Sequence, residues 1–403
     1  MSQEQLRRST ERRGQILTAA ARLFRQRGFA GVGIDDIGTA VSVSGPAVYR
    51  YFPSKHALLA AIVSGYLRSV IDEGGLRGDA ESHERGDRFL HSAITVGLRD
   101  PDSLVVYLRQ LAHLDPVDLA AVRGDRERVA LAWDSVLRAH HIDKTLPSKQ
   151  LRLRSAAGVL IHVALTRVSG AQARQRLAEQ MITVILDASL PESAAEPSPH
   201  GRPHAAPRLQ HASRREAILA ASTSLFRERS FTGVSLRDIG AAVGISASAV
   251  NRHFDSKEQL LATAFNRAAE QIAAGIAGAI GRSGSPAQAA VEIVRIYAHL
   301  AIECRDLIVI NATETHFLPA SYRDQRRRNQ RMYVEELAQM LAAAHPELGM
   351  AECRIRAGSA FAAVNEVIMN DRLVQRPNLV QELTDLGLSL LQLECEVTAQ
   401  HPS

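Results

Sequence analysis

The sequence predicts an all-α protein made of two tandem copies of one helical unit. Three observations carry this expectation. Aromatic residues make up only 4% of the chain while Ala, Leu and Arg abound, a usage that favours helix over sheet. Apolar residues recur at helical spacing, as at Ile16, Ala20, Leu23 and Phe24, one face of an amphipathic helix. The run Ile16–Leu59 aligns without a gap on Ile218–Leu261, offset by 202, with slightly more than half of the positions identical. Such a repeat sets the architecture before any motif is read.

Composition excludes several classes. With 46% hydrophobic and 23% charged residues in 403, the chain has ordinary globular usage and length for two to four domains, at roughly 100 to 200 residues each. Cys304, Cys353 and Cys395 are odd in number and lack CxxC spacing, so neither a disulfide framework nor a cysteine zinc site is expected. The opening MSQEQLRRSTERR holds no apolar signal-peptide stretch, and no run reaches the roughly 20 apolar residues that cross a bilayer. A cytoplasmic protein without membrane partner, metal or cofactor is expected. Net charge is +5, but residues 1–60 carry +5 and residues 202–262 carry +4, leaving −4 for the rest. Two basic blocks are the footprint of a bound polyanion; two solvated charged faces are the plainer alternative.

The elements follow in order. The stripe from Ile16 predicts a first helix ended by Gly28, repeated by Ile218, Ser222, Leu225 and Phe226. A short second helix is expected over Ile34–Val41 and Leu236–Val243. Ser235 can cap it by accepting its free N–H groups, whereas Gly33 has no side-chain oxygen. The turns Ser42-Val43-Ser44 and Gly244-Ile245-Ser246 lead to a third helix, Gly45–Phe52 and Ala247–Phe254, with Pro46 in a first turn that tolerates it. A fourth starts near Ser54 and Ser256, with Leu58, Leu59, Ile62 and Tyr66 or Leu260, Leu261 and Phe265 on its apolar face.

Two short helices joined by a tight turn, the second small enough for a groove about 12 Å wide, make a helix-turn-helix that reads DNA. A duplicated helical bundle is the competing explanation. Against it, identity extends beyond core positions to Ser44/Ser246, Arg50/Arg252, Ser54/Ser256 and Lys55/Lys257, and only four of the 48 basic residues are lysine. A lysine and a serine at a helix start, where N–H groups point outward, suit a phosphate.

The strings GVGIDDIGTAVSVSGPAVYRYFPSKHALL and GVSLRDIGAAVGISASAVNRHFDSKEQLL resemble the DNA-binding segment of the TetR family of bacterial transcription regulators. The likeness covers about 50 residues per repeat. It implies a three-helix N-terminal DNA reader followed by a larger helical domain that dimerises and often holds a small effector. The tandem arrangement resembles double TetR-type proteins of actinobacteria, some of which control lipid operons. By resemblance Ser44, Gly45, Pro46, Tyr49, Arg50 and Tyr51 face DNA with Lys55 on phosphate. Ser246, Ala247, Ser248, Asn251, Arg252 and His253 do so in the second repeat, with Lys257 and Ser235 on the backbone. Gly33 and Asn251 depart from the family's usual Ser or Thr and Tyr. Arg50 and Arg252 suit guanine or phosphate, and Asn251 suits adenine; Tyr49 and Tyr51 have packing against the first helix as an alternative. Because the readers differ at Tyr49/Asn251, Tyr51/His253 and Pro46/Ser248, a nonpalindromic operator is expected.

The expected organisation is a reader over 9–69, a helical effector and dimerisation domain over 70–190, a Pro-rich linker over 191–211, a second reader over 212–271 and a second helical domain over 272–397. The resemblance further implies that the last two helices of each unit, about 148–189 and 351–397, pack together, here within one chain as a pseudo-dimer, with a homodimer as the alternative. The weaker downstream echo sets LRLRSAAG at 151–158 against CRIRAGSA at 353–360. Tyr107, Trp133, His140 and His162, and Tyr297, Asn311, Tyr333, Phe361 and Asn365, interrupt apolar faces; an effector pocket or ordinary core polar groups both account for them. The motifs GxxxxGK[ST], HExxH, GxSxG and strand-borne GxGxxG are missing, so an enzyme is not expected. A DNA-binding repressor released by a small, lipid-like effector is the reading, with double-stranded DNA and that effector as partners. The alternatives are a ligand-binding regulator with one working reader, which Asp255 beside the expected phosphate contact favours, and an activator.

Overall fold

A computed structural model of the chain describes residues 3–76, 82–140, 142, 146–166, 170–190, 213–313, 318 and 320–393. The expected linker, His141 and Cys395 lie outside the described residues. Among the described residues the regular structure is helical, and no helix is long and apolar enough to cross a membrane.

The chain forms two compact units, one from Met1–Lys144 with Val163–Ile182, the other from Thr145–His162 with Thr183–Ser403. This division does not follow the repeat boundary: the segment 145–162, which belongs to the first repeat by sequence, packs with the second unit.

The first unit begins with α1 (Gln3–Arg27), α2 (Ile34–Ala40), α3 (Gly45–Val48) and α4 (Lys55–Glu73). The predicted stripe is its core: Ile16, Phe24, Ile37, Leu58 and Leu59 are each fully buried. There follow α5 (Ser82–Arg99), α6 (Pro101–Gln110), α7 (Pro116–Ala121) and α8 (Arg123–Ala139). Helices α6 and α7 start where Asp100 and Asp115 accept from the backbone N–H three residues on, with proline in the first turn. The first three helices are tied to the rest at Phe29, whose N–H donates to Gln110 Oε1 at 3.3 Å and whose ring stacks on His113 at 5.2 Å.

Next come α9 (Leu146–Leu165) and α10 (Ala171–Asp187). The second unit continues with α11 (Arg214–Arg229), α12 (Leu236–Ala242), α13 (Ala247–Asn251), α14 (Lys257–Arg282), α15 (Pro286–Glu303), α16 (Arg305–Thr313), α17 (Ala320–Ala344), α18 (Met350–Ile368) and α19 (Leu379–Leu391). Ile218, Phe226, Ile239, Val250, Phe254 and Leu260 build the core of α11–α14, matching the first repeat at the offset of 202. Arg227 on α11 pairs with Asp306 at 3.1 Å and Asp371 at 2.6 Å, joining these helices to α16 and the end of α18.

Candidate nucleic-acid interface

Each reader is assembled by a glycine. A Cβ on Gly38 would stand 2.8 Å from the Val43 carbonyl oxygen, and one on Gly240 2.6 Å from that of Ile245. The turn therefore presses on the α2 or α12 backbone, and its N–H at Val43 or Ile245 donates to Gly38 or Gly240 at 2.9 Å. That close approach sets the angle at which α3 and α13 leave the domain.

Both recognition helices are shorter than the expected runs to Phe52 and Phe254. Past Val48 the chain keeps turning through tighter bonds: Arg50 N–H donates to Ala47 at 3.3 Å and Tyr51 N–H to Val48 at 3.0 Å. The buried rings of Phe52 and Phe254 end the element, with the Arg13 and Arg215 guanidiniums over them at 4.7 Å and 4.2 Å. Arg12 and Arg214 donate to the Val41 and Val243 carbonyls at 3.1 Å and 3.3 Å. These arginine pairs, one turn before the aligned run, escaped the sequence reading. Their signal was present in ERRGQI and SRREAI, which keep the same offset.

The outward face carries most of the expected residues. Ser44, Pro46, Tyr49 and Arg50 are exposed, as are Ser246, Ser248, Asn251, Arg252 and His253. Tyr49 is 53% exposed, whereas Tyr51 is half-buried and borders a recess formed by Arg8, Arg12 and Gln15 of α1. The two tyrosines thus divide the alternatives between them. Gly45 is buried and Ala247 half-buried, because the first residue of each short helix turns toward the α2 or α12 side; neither presents a side chain outward as expected. Ser246 Oγ accepts from Ala249 N–H at 3.2 Å and lies 2.9 Å from Ser248 Oγ.

The lysines point inward, which the sequence reading did not anticipate. Lys55 Nζ donates to the carbonyls of Phe29 and Val32, both at 3.0 Å, and lies 4.4 Å from the Phe29 ring centroid. Lys257 does the same at Phe231 and Val234, at 2.7 Å and 2.6 Å, over the Phe231 ring. Burial pulls the Lys55 ammonium below the ordinary lysine range. Two of its three N–H donors hold the loop between the first two helices, which leaves one for a phosphate. Ser54 and Ser256 cap α4 and α14 by accepting from Ala57 and Gln259 N–H. Ser235 caps α12, accepting from Asp238 N–H at 3.2 Å, while its own N–H donates to Asp238 Oδ2 at 2.8 Å. Hydrogen bonds from Ser235 hold the Asp238 carboxyl below its usual range. Gly33 makes only the second of these bonds, to Asp36 at 2.8 Å.

In the second unit a cavity of about 90 Å³ lies between α14, α15, α16, α17 and α18, lined by Phe265, Tyr297, Tyr322, Arg326, Tyr333 and Asn365 among others. Tyr297 and Asn365 hydrogen-bond at 2.9 to 3.1 Å, and Tyr333 donates to the Ala269 carbonyl at 2.7 Å. Burial pushes both tyrosine hydroxyls up to about 12. Phe361 packs against Tyr297 with the rings tilted and their centroids 4.1 Å apart, supporting the cavity wall rather than lining it. The Arg326 Nε is buried without a hydrogen-bond partner, and burial lowers the guanidinium's pKa. Of the candidates in the first repeat, Tyr107 stacks on Tyr66 at 5.5 Å and Trp133 meets Phe89 edge-on at 5.2 Å. His162 lies against Gly358 of α18, at a helix crossing and away from the cavity lining. His140 is the C-cap of α8, and the side chain of Asn311 lies outside what is described.

Two copies of one reader, each with a glycine-set turn and a short second helix that brings exposed polar residues to one face, define a duplicated helix-turn-helix protein. Residues 16–62 and 218–264 each match the model for bacterial regulatory proteins, tetR family. The chain thus carries the DNA-binding domain of that family twice. It is 34% identical over 77 residues to the HTH-type transcriptional activator FasR of Mycolicibacterium smegmatis, covering 19% of this chain and 35% of FasR. Over 58 residues it is 34% identical to the HTH-type transcriptional regulator EthR of the same species, covering 14% and 27%. The chain thus spans about a third or less of these curated relatives. Among solved structures it is similar to a TetR-family regulator from Bordetella parapertussis, at 18% identity and TM-score 0.41 over 48% of this chain and 100% of that one. A second, the TetR-family regulator PfmR from Thermus thermophilus, has 21% identity and TM-score 0.33 over 42% and 96%.

Proposed function

We propose that the chain is a cytoplasmic, sequence-specific transcriptional regulator that grips a nonpalindromic operator through two unlike readers and represses until a small effector releases it. The carrying observation is the pair of exposed recognition faces: Tyr49 and Arg50 in one, Asn251, Arg252 and His253 in the other. Readers that differ at base-contacting positions select different half-sites. In this reading 9–69 and 212–271 are the readers, 70–190 and 272–397 the helical domains, and Lys55, Lys257 and Ser235 lie near phosphate. The cavity around Tyr297, Tyr333 and Asn365 is the effector site. Its apolar wall and the unpartnered Arg326 Nε favour a ligand with an apolar body and an acidic end. A second reading, activation, is favoured by the description of FasR as an activator.

The test is fluorescence anisotropy of the purified chain with DNA from upstream of its own and neighbouring genes, at several salt concentrations, beside Arg50→Ala and Arg252→Ala. Each substitution should weaken specific binding about 5- to 150-fold, the roughly 1 to 3 kcal/mol of a good base contact, and wild type should lose affinity steeply with salt. An unchanged affinity for Arg252→Ala would reduce the protein to one working reader. No salt-sensitive specific binding to any fragment would reject the regulator.

A further inference from the structure

Asp35 and Arg237 occupy one position of the repeat with opposite charge. Both are exposed, in the first turn of α2 and of α12. The neighbouring acids, Asp36 and Asp238, are engaged within the domain, each accepting at 2.8 Å from the backbone N–H of Gly33 or Ser235. The residue just before each of them faces solvent instead.

Asp35 lies over the first residue of the recognition helix. A Cβ on Gly45 would overlap the Asp35 carboxylate, 3.0 Å from its Cγ and 3.6 Å from its Cα, so glycine is required there. Gly45 is flanked by the exposed Ser44 and Pro46, which places the carboxylate at the edge of the outward face. The second repeat has Ala247 in place of Gly45, and its methyl group takes the space that Asp35 uses in the first. Arg237, at the equivalent backbone position, is exposed. Glycine and the acid thus go together in one reader, alanine and the arginine in the other.

A recognition helix seated in a major groove about 12 Å wide brings its first turn, and whatever lies against that turn, to the base edges. There an arginine forms paired hydrogen bonds with guanine, whereas a carboxylate accepts from the cytosine amino group. A carboxylate among phosphates is repelled unless such a donor faces it, so an acid at this point rejects the other bases as much as it selects one. Guanine and cytosine are the two halves of one base pair. We propose, resting on the DNA-binding reading, that position 35/237 is a specificity position outside the recognition helix. The first reader takes cytosine through Asp35 and the second takes guanine through Arg237, so the two half-sites carry that G·C pair in opposite orientation.

The test is in vitro selection of binding sites from a random duplex library by the full chain, with Asp35→Asn, Asp35→Arg and Arg237→Asp beside it. Wild type should enrich sites with cytosine in one half and guanine at the equivalent place in the other. Asp35→Asn should exchange that cytosine for adenine, the base an amide pairs with, and Asp35→Arg for guanine, while the second half stays as it was. Arg237→Asp should turn guanine to cytosine in the second half alone. Titration against the selected duplexes should show a roughly 5- to 150-fold preference for the named base. A folded variant that keeps the wild-type base, or loses all enrichment alike, would overturn the inference and leave the regulator standing. Asp35→Asn keeps the shape of the side chain and so tests the first reader even if Asp35→Arg does not fold. Enrichment of no sequence by wild type would overturn the regulator itself, and the inference with it.

Discussion

Lys257 lies 4.4 Å from the Phe231 ring centroid and donates to the Phe231 carbonyl at 2.7 Å, repeating what Lys55 does with Phe29. The repeat keeps lysine here because a long, flexible ammonium stem can reach two carbonyls and a ring at once, whereas a planar guanidinium spreads its donors differently.

The first prediction concerns this strut. Lys257→Met should destabilise the second reader by about 2 kcal/mol, the cost of leaving half-buried carbonyls unsatisfied plus the lost ring contact. Urea unfolding followed by helical signal reads this directly. A lysine engaged only with phosphate would leave the midpoint unchanged in the absence of DNA, and that result would refute the strut.

The second concerns backbone strain. Each repeat has two left-handed positions in its reader, and glycine and serine exchange places between them: Gly28 (φ 69°) answers Ser230 (φ 62°), and Ser42 (φ 58°) answers Gly244 (φ 68°). Ser42→Gly and Ser230→Gly should each stabilise by roughly 0.5 to 1 kcal/mol, the relieved strain of about 1 to 2 kcal/mol less the extra freedom of an unfolded glycine. Gly244→Ala should destabilise by about 1 kcal/mol, although nothing stands within 4 Å of the new methyl. Chemical unfolding of the three variants checks the signs; a loss for Ser42→Gly would show that the serine side chain matters more than its φ.

The third concerns pH. Burial lowers the His162 pKa to about 4, so the folded state holds it neutral while the unfolded chain protonates near 6.5. Between those values the unfolded state binds the extra proton, and stability therefore falls as pH drops from about 6.5 to 4, by roughly 2 to 3 kcal/mol. His162→Gln should flatten this part of the stability profile. Equal slopes for wild type and variant between pH 6.5 and 4 would refute the assignment.

Much of the reader was legible in the chain because its determinants are local. The apolar stripe from Ile16, the stop at Gly28 and the short second helix all follow from spacing within one turn or two. The duplication also exposed positions kept for reasons other than packing, which is how Arg50, Arg252 and the lysine pair came to notice. Spacing alone could not say which way a kept residue points. Lys55 and Lys257 turn inward, Tyr51 leans on α1 while Tyr49 stays in solvent, and Gly45 is buried, because each depends on the angle at which the turn presses on Gly38 or Gly240.

By itself the sequence determined an all-helical chain, two readers and their unlike recognition faces, since helical periodicity, turn residues and an ungapped repeat need no distant contact. Only the tertiary structure decided that Tyr297, Tyr333 and Asn365 share a cavity while Tyr107 and Trp133 meet neighbouring rings and His162 lies at a helix crossing. It also decided that α9 meets α18 backbone to backbone at Gly158 and Ala362, and that Arg152 and Arg356, 204 residues apart, answer each other by donating to the carbonyls of Leu186 and Leu390. Those outcomes depend on how loop lengths between helices add up and on which backbones come close enough to require Gly158. A one-dimensional pattern carries neither, because helix packing is chosen by the sum of contacts across elements far apart in sequence.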